Sequence, residues 1–154
     1  MTTVSATRNP RSVWTHWLPV ILWMGVIFFL SHQDRDQSAK TSAWVMQLLN
    51  IFQLDIETLR AYNIPFLIRK LAHMTEYGIL FLLVNRLIRM YRPAANSVGW
   101  AMLCVVLYAA TDEFHQSFVP GRGATVVDVM IDTTGALIAW GIWALYNRWR
   151  KSKL

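Results

Sequence analysis

Long apolar stretches constrain this chain more than any other feature of its sequence. Between Arg11 and Asp34 there are 22 residues without a formal charge, and between Arg92 and Asp112 there are 19. A helix that spans a bilayer needs about 20 predominantly apolar residues. Both stretches therefore predict transmembrane helices, over residues 13–30 and 94–117.

Two further apolar stretches contain ionisable residues and predict the remaining helices, over residues 65–84 and 124–147. The composition agrees with a membrane protein, because 55% of the residues are apolar and 16% are charged, whereas soluble domains average about 45–50% and about 25%. A disulfide scaffold is excluded, since Cys104 has no partner in the chain. The predicted fold is all-α, a four-transmembrane-helix bundle that forms one domain over residues 1–154.

The positions of the basic residues predict the orientation of these helices. With four crossings, one side of the membrane receives no acidic residue and nine basic ones, namely Arg8, Arg11, Arg86, Arg89, Arg92, Arg148, Arg150, Lys151 and Lys153. The positive-inside rule then places the N and C termini in the cytoplasm. These basic residues are short flanks of membrane helices, so the net charge of +6 reports topology and gives no reason to expect a nucleic-acid partner. The tryptophans at this end predict an aromatic belt.

The first extracytoplasmic loop contains a second kind of apolar pattern, over residues 41–60. Its apolar side chains recur at three- and four-residue spacing, at Trp44, Val45, Leu48, Leu49 and Phe52. This spacing predicts an amphipathic helix that lies on the outer surface of the membrane or of the bundle. A re-entrant segment is the alternative.

Ionisable and polar residues gather on three of the four predicted helices. Successive helical residues rotate by about 100°, so the second helix presents one polar face, formed by Arg69, Lys70, His73, Glu76 and Tyr77. The third and fourth helices add Asp112, Glu113, Gln116, Asp128 and Asp132, and the adjoining loop adds Arg122. Because consecutive helices alternate in direction, all these groups are expected to meet in the outer half of the bundle. Three cations then face five carboxylates, so we expect an acidic excess in a cavity or salt-bridge network.

Several of these residues also have a purely structural interpretation. Arg69 can extend from the first helical turn toward water, and we expect Asp112 to end the third helix in water. His73 can be a satisfied donor between helices. The two carboxylates of the fourth helix can hold that helix in register by pairing with Lys70 or Arg122.

Three motifs carry a resemblance to a known family. They are the Lys70, His73 and Tyr77 spacing on the second helix, the run DEFHQSFVPGR at 112–122, and the run DVMIDTTGA at 128–136. Together they resemble the VanZ-like membrane proteins, and the resemblance extends from the first helix to Ala139. Asp132 departs from the family pattern, which has Asn at this position.

The resemblance implies an integral protein of the bacterial inner (cytoplasmic) membrane, in a family whose namesake is associated with low-level teicoplanin resistance. It implies no defined molecular activity. When the family motifs are matched to this chain position by position, the resemblance implies a set of functional residues: Lys70, His73, Tyr77, Glu113, Gln116, Arg122 and Asp128. Asp132 is included provisionally, because it departs from the family pattern.

The residues of this site suggest three hypotheses for its function: a ligand-binding protein, an enzyme and a transporter. In the first, an outward-facing cavity binds a cell-envelope amphiphile, either a lipid-linked precursor or a lipoglycopeptide such as teicoplanin, and the expected partners are this ligand and membrane lipids. The ligand would contact Lys70, Tyr77, Gln116, Arg122 and Asp132. A proton-coupled transporter is disfavoured, because the cytoplasmic halves of the second and fourth helices are nearly all apolar.

The second function is a membrane-embedded hydrolase or transferase that acts on a lipid phosphate. In this hypothesis His73, Glu113 and Asp128 are the catalytic residues, and the carboxylates are of the type that hold a divalent metal. The sequence identifies neither a metal nor another cofactor.

Overall fold

A computed structural model of the chain describes residues 10–33, 37, 40–41, 44, 47, 63–91 and 96–153. Within this part there are four long helices and no strand, in the order α1 (Pro10–Ser31), α2 (Ile64–Tyr91), α3 (Ser97–Gln116) and α4 (Val126–Lys151). All four are long and apolar enough to cross a membrane. The predicted all-α, four-helix architecture is confirmed. The predicted amphipathic segment at 41–60 lies largely outside the described residues and stays a prediction.

Helix α2 is longer than its sequence pattern predicts. The prediction ended this helix at residue 84, before Arg86, but the helix continues to Tyr91. The extension packs against the bundle through Val84 and Leu87, which are buried, while Arg86 and Arg89 are exposed. Burial on one side of the helix, and not the position of Arg86, therefore determines how far the helix extends.

The packing of α2 against α4 is the most extensive helix contact in the structure. Gly135 of α4 lies directly against the backbone of Met74, and Gly78 of α2 faces Gly135 and Ala139. A side chain at residue 135 would overlap the Met74 carbonyl group. The small residues of the fourth helix therefore permit close approach, as the sequence predicted.

Helix α1 is held to the other helices by side-chain hydrogen bonds as well as by apolar contact. The Trp23 Nε1 donates to the carbonyl oxygen of Glu76 at 2.9 Å, and the Tyr108 hydroxyl donates to the carbonyl oxygen of Met24 at 2.7 Å. Ile27 is completely buried between these contacts. These bonds hold the second half of α1 against α2 and α3.

The two ends of the bundle differ in character. At the end where α1 begins and α2 ends, the Trp17 Nε1 donates to the Tyr91 hydroxyl at 3.3 Å, and the Arg89 guanidinium lies 4.8 Å from the centre of the Trp143 ring. Trp14, 71% exposed, belongs to the same end, as an interfacial aromatic belt requires. The polar residues lie at the opposite end.

Candidate functional site

A cavity of about 230 Å³ lies at the end of the bundle where α1 and α3 end and α2 and α4 begin. It is lined by Phe66, Arg69, Lys70, His73, Glu113, Gln116, Gly121, Arg122, Gly123 and Asp128. The structure thus brings six of the eight predicted site residues into one cavity. Tyr77 and Asp132, the other two, lie deeper in the bundle.

A tight turn after α3 positions Arg122 at the cavity. The Arg122 amide donates to the Val119 carbonyl oxygen at 3.1 Å, which closes a four-residue turn with Pro120 and Gly121 at its centre. Gly121 has a φ of 75°, in the left-handed region that glycine adopts without steric cost. The Arg122 Nη1 then donates to the Gln116 Oε1 at 3.0 Å. The Pro-Gly sequence therefore returns the arginine side chain toward α3.

A buried hydrogen-bond network continues from Gln116 to the end of α1. The Gln116 Nε2 donates to the Asp112 Oδ2 at 3.0 Å, and the Ser31 hydroxyl donates to the same oxygen at 2.7 Å. Asp112 is only 3% exposed. The expectation that Asp112 ends the helix in water was wrong, because α3 continues past it and α1 covers it with Ser31.

The carboxylates at the cavity wall have partners within the protein. Asp128 forms an ion pair with Lys70 between α4 and α2, which is the register-holding role that the sequence left open. Glu113 accepts a hydrogen bond at its Oε2 from the amide of Thr125 at 2.9 Å. The Thr125 hydroxyl in turn caps α4 by accepting from the Asp128 amide at 3.2 Å. The start of α4 is thus fixed to α3 and α2 at the cavity.

The charge of the cavity wall is opposite to the acidic excess that we expected. Arg69, Lys70 and Arg122 line it, against Glu113 and Asp128. The other acidic side chains of the predicted constellation lie outside the lining. The structure has therefore sorted the charges, with the cations gathered at the cavity.

Arg69 lines the cavity but was not among the site residues predicted from the sequence. Its position beside His73 on the polar face of α2 was visible, but the same position allowed it to extend into water. In the structure the Nε atoms of Arg69 and Arg122 are both buried, and neither has a hydrogen-bond partner among the described residues. Burial, and then the positive charge of Arg69, lower the pKa of Arg122. Two guanidinium groups therefore share one partly desolvated region.

Below the cavity lies a more deeply buried polar group of residues. The His73 Nδ1 is 3.5 Å from the Asp132 Oδ1, but the contact lacks hydrogen-bond geometry, and neither Asp132 oxygen has a hydrogen-bond partner in the described part of the chain. The Tyr77 hydroxyl, also without such a partner, lies beside Asp112. These residues meet at one level of the bundle.

The predicted metal ligands do not form a metal centre. In the described ranges, no three His, Cys, Asp or Glu side chains are grouped closely enough to hold a metal ion. Glu113 and Asp128 face the cavity, whereas Asp132 lies below it beside His73. The set that the sequence suggested is therefore divided between two levels.

A larger apolar groove, of about 540 Å³, lies along the packed pair α2 and α4. Leu71 and Met74 are at the end nearer the cavity, and Trp143 and Tyr146 are at the far end. Gly78 and Gly135 form its floor. An apolar surface of this length is suited to a hydrocarbon chain.

Four spanning helices with a polar cavity at one end define a multi-pass integral membrane protein. A family model described as VanZ/LLP1 matches residues 16–147, which covers nearly the whole bundle. The chain therefore belongs to the VanZ/LLP1 family, as its motifs predicted. Comparisons with curated proteins and with solved structures gave no significant match.

Proposed function

We propose that the cavity binds the anionic head group of a cell-envelope amphiphile at the outer face of the bacterial inner membrane. The observation that carries this proposal is the cationic wall, which contains three basic and two acidic side chains. Lys70 is paired with Asp128 and carboxylates lie near Arg122, so the wall has an excess of one positive charge, which is costly in a partly dehydrated site unless an anion compensates it. A bound phosphate or carboxylate would supply that compensation.

Arg69 and Arg122 are the proposed anchors for this head group. Lys70 is already paired with Asp128, so it adds positive charge but has less freedom to bind a ligand. Guanidinium groups bind phosphate and carboxylate oxygens through paired, charge-assisted hydrogen bonds. Both arginine side chains line the cavity, and because their Nε atoms are buried, the terminal guanidinium nitrogens are the donors proposed for such bonds.

The apolar groove between α2 and α4 gives the amphiphile a place for its tail. Leu71, at its near end, follows Lys70 of the cavity wall directly in the sequence. The cavity and the groove are both lined by residues of α2 and α4, and we propose that the tail runs from one to the other along this helix pair. Because the tail passes from lipid into the groove, its contribution comes from van der Waals contact with the two helices and not from removal of apolar surface from water.

The size of the cavity favours a small head group. A volume of about 230 Å³ accommodates a phosphate or diphosphate, whereas the peptide core of a lipoglycopeptide such as teicoplanin is far larger. A lipid-linked phosphate is thus the favoured ligand class, and any role in teicoplanin resistance would follow indirectly from lipid metabolism.

The enzymatic alternative has less support from the geometry. Asp128 is engaged by Lys70 and Glu113 by the Thr125 amide, so both have structural duties. The proposed ligands of a divalent ion are also not grouped in the described part of the protein. His73, which lines the cavity, is the remaining candidate for a general base in a metal-free reaction.

Binding of a polyprenyl phosphate by the full-length protein in lipid nanodiscs tests this proposal. The neutral polyprenol of the same length is the matched ligand control. We expect the phosphate to bind more tightly, and Arg69→Gln or Arg122→Gln to weaken it by about tenfold or more, since a hydrogen bond to a charged group contributes about 1.5–3 kcal/mol.

Arg148→Gln, at the opposite end of α4, is the control variant and should bind like the original protein. Equal binding of the phosphate and the alcohol would contradict the proposal. Equal losses in all three variants would also contradict it, because they would indicate a general effect of surface charge.

A further inference from the structure

His32 and His115 form a pair outside the cavity at the same end of the bundle. His32 follows α1 directly, and His115 is in the last turn of α3. The His32 Nδ1 lies 3.2 Å from the His115 Nε2. Neither residue lines the polar cavity, and the proposed binding of an amphiphile makes no use of them.

An aromatic neighbour orders both imidazole rings. The Phe28 ring is 4.5 Å from the centre of the His115 ring and 6.2 Å from that of His32, to which it is nearly parallel, with an angle of 9° between the planes. The two imidazoles are inclined to each other by 25°. Because these contacts restrict the rings, part of the entropy cost of bringing two ligands together is already met by folding.

The separation of the two nitrogens matches a chelating pair. Zn²⁺ binds imidazole nitrogens at about 2.0–2.1 Å in a tetrahedral arrangement, so two such nitrogens lie about 3.3 Å apart. The observed 3.2 Å differs little from this separation. Without a metal, a single N–H···N hydrogen bond joins the two nitrogens, one acting as donor and the other as acceptor.

We propose that His32 and His115 form a binding site for a divalent transition-metal ion, of the Zn²⁺ or Cu²⁺ class that imidazole prefers. In the described part of the chain no third His, Cys, Asp or Glu completes the set, and His32 is exposed. Because His32 is exposed, water can reach the remaining coordination positions.

A metal here would join two helices that contact each other only slightly. His32 is the residue after Ser31, whose hydroxyl bonds to Asp112 at 2.7 Å. A bound ion would therefore hold the end of α1 over the buried network that leads to Arg122. Because the folded protein binds the ion more tightly than the unfolded chain, the metal stabilises the bundle by mass action.

The experiment uses the full-length protein in detergent, with any affinity tag removed and contaminating metal stripped by a chelator. Zn²⁺ is titrated by calorimetry, and Cu²⁺ is added for electron paramagnetic resonance. We expect saturable binding of one ion per chain and a Cu²⁺ spectrum with two imidazole nitrogens. His32→Gln and His115→Gln should each abolish saturable binding, whereas His16→Gln, at the other end of α1, should retain it.

Thermal unfolding provides a second readout that does not depend on the spectrum. Zn²⁺ should raise the midpoint of the original protein and of His16→Gln, but not that of His32→Gln. His32 lies in an exposed turn, so this variant is expected to fold even if His115→Gln does not. Absence of saturable binding to the original protein, or unchanged binding to His32→Gln, would overturn the proposal.

Discussion

Gly135 of α4 lies directly against the backbone of Met74 in α2, with no room between them for a side chain. This contact sets the distance between the two helices that supply the ion pair of the cavity wall, Lys70 and Asp128. The close crossing therefore determines both the stability of the bundle and the shape of the site.

The first prediction concerns this crossing. Gly135→Ala should destabilise the protein by about 1–3 kcal/mol, because the added methyl group must displace the backbone of α2. Thermal unfolding in detergent measures the loss. Gly141→Ala in the same helix is the matched control, since a methyl group there meets no atom within 4 Å. Equal effects of the two substitutions would contradict the close crossing.

The second prediction compares two carboxylates on one face of α4. Asp132 is 1% exposed and neither of its oxygens has a hydrogen-bond partner among the described residues. An ionised carboxylate there is more costly than a neutral amide, so Asp132→Asn should raise stability by about 1 kcal/mol. Asp128→Asn should lower it by about 1–3 kcal/mol, because Lys70 loses its partner. Unfolding midpoints measure both changes, and the same sign for both would show that the partners are misassigned.

The third prediction concerns the link between α1 and α3. Ser31→Ala removes the hydrogen bond to the buried Asp112 carboxylate and should cost about 1–3 kcal/mol. Ser117→Ala is the control, since the Ser117 hydroxyl is exposed and bonds only to the Phe114 carbonyl oxygen of its own helix. The difference between the two unfolding midpoints is the measurement, and no difference would contradict a structural role for Ser31.

The fourth prediction concerns the turn that positions Arg122. Gly121 has a positive φ, so Gly121→Ala should strain the turn by about 1–2 kcal/mol and weaken the binding of a polyprenyl phosphate. Gly99→Ala, near the start of α3 and away from the cavity, changes a glycine with open space around it and should bind normally. Ligand titration of both variants tests this. Normal binding by Gly121→Ala would contradict the claim that the turn positions Arg122 for ligand binding.

The sequence was sufficient to predict the number of helices and to single out six of the residues that line the cavity. Uncharged stretches identify membrane helices because charges are costly in lipid, and helical periodicity placed Lys70, His73 and Tyr77 on one face. The long extension of α2 was not predictable, because the burial of Asn85 depends on neighbouring helices.

Two features of the site also required the tertiary structure. Asp112 was expected in water, since nothing near it in the sequence shows that Ser31, 81 residues away, covers it. The cationic wall could not be foreseen either, because residue composition gives the total charge of a region but not which side chains face the cavity. Arg69 gained its importance only when it was placed beside Arg122.

The position of the phosphate in an experimental structure of the protein bound to a polyprenyl phosphate tests the proposed function most directly. We predict phosphate density in the cavity, within hydrogen-bond distance of the Arg69 and Arg122 guanidinium groups, with the hydrocarbon chain in the groove between α2 and α4. A phosphate bound elsewhere, with both guanidinium groups hydrogen-bonded to protein atoms alone, would contradict the proposal.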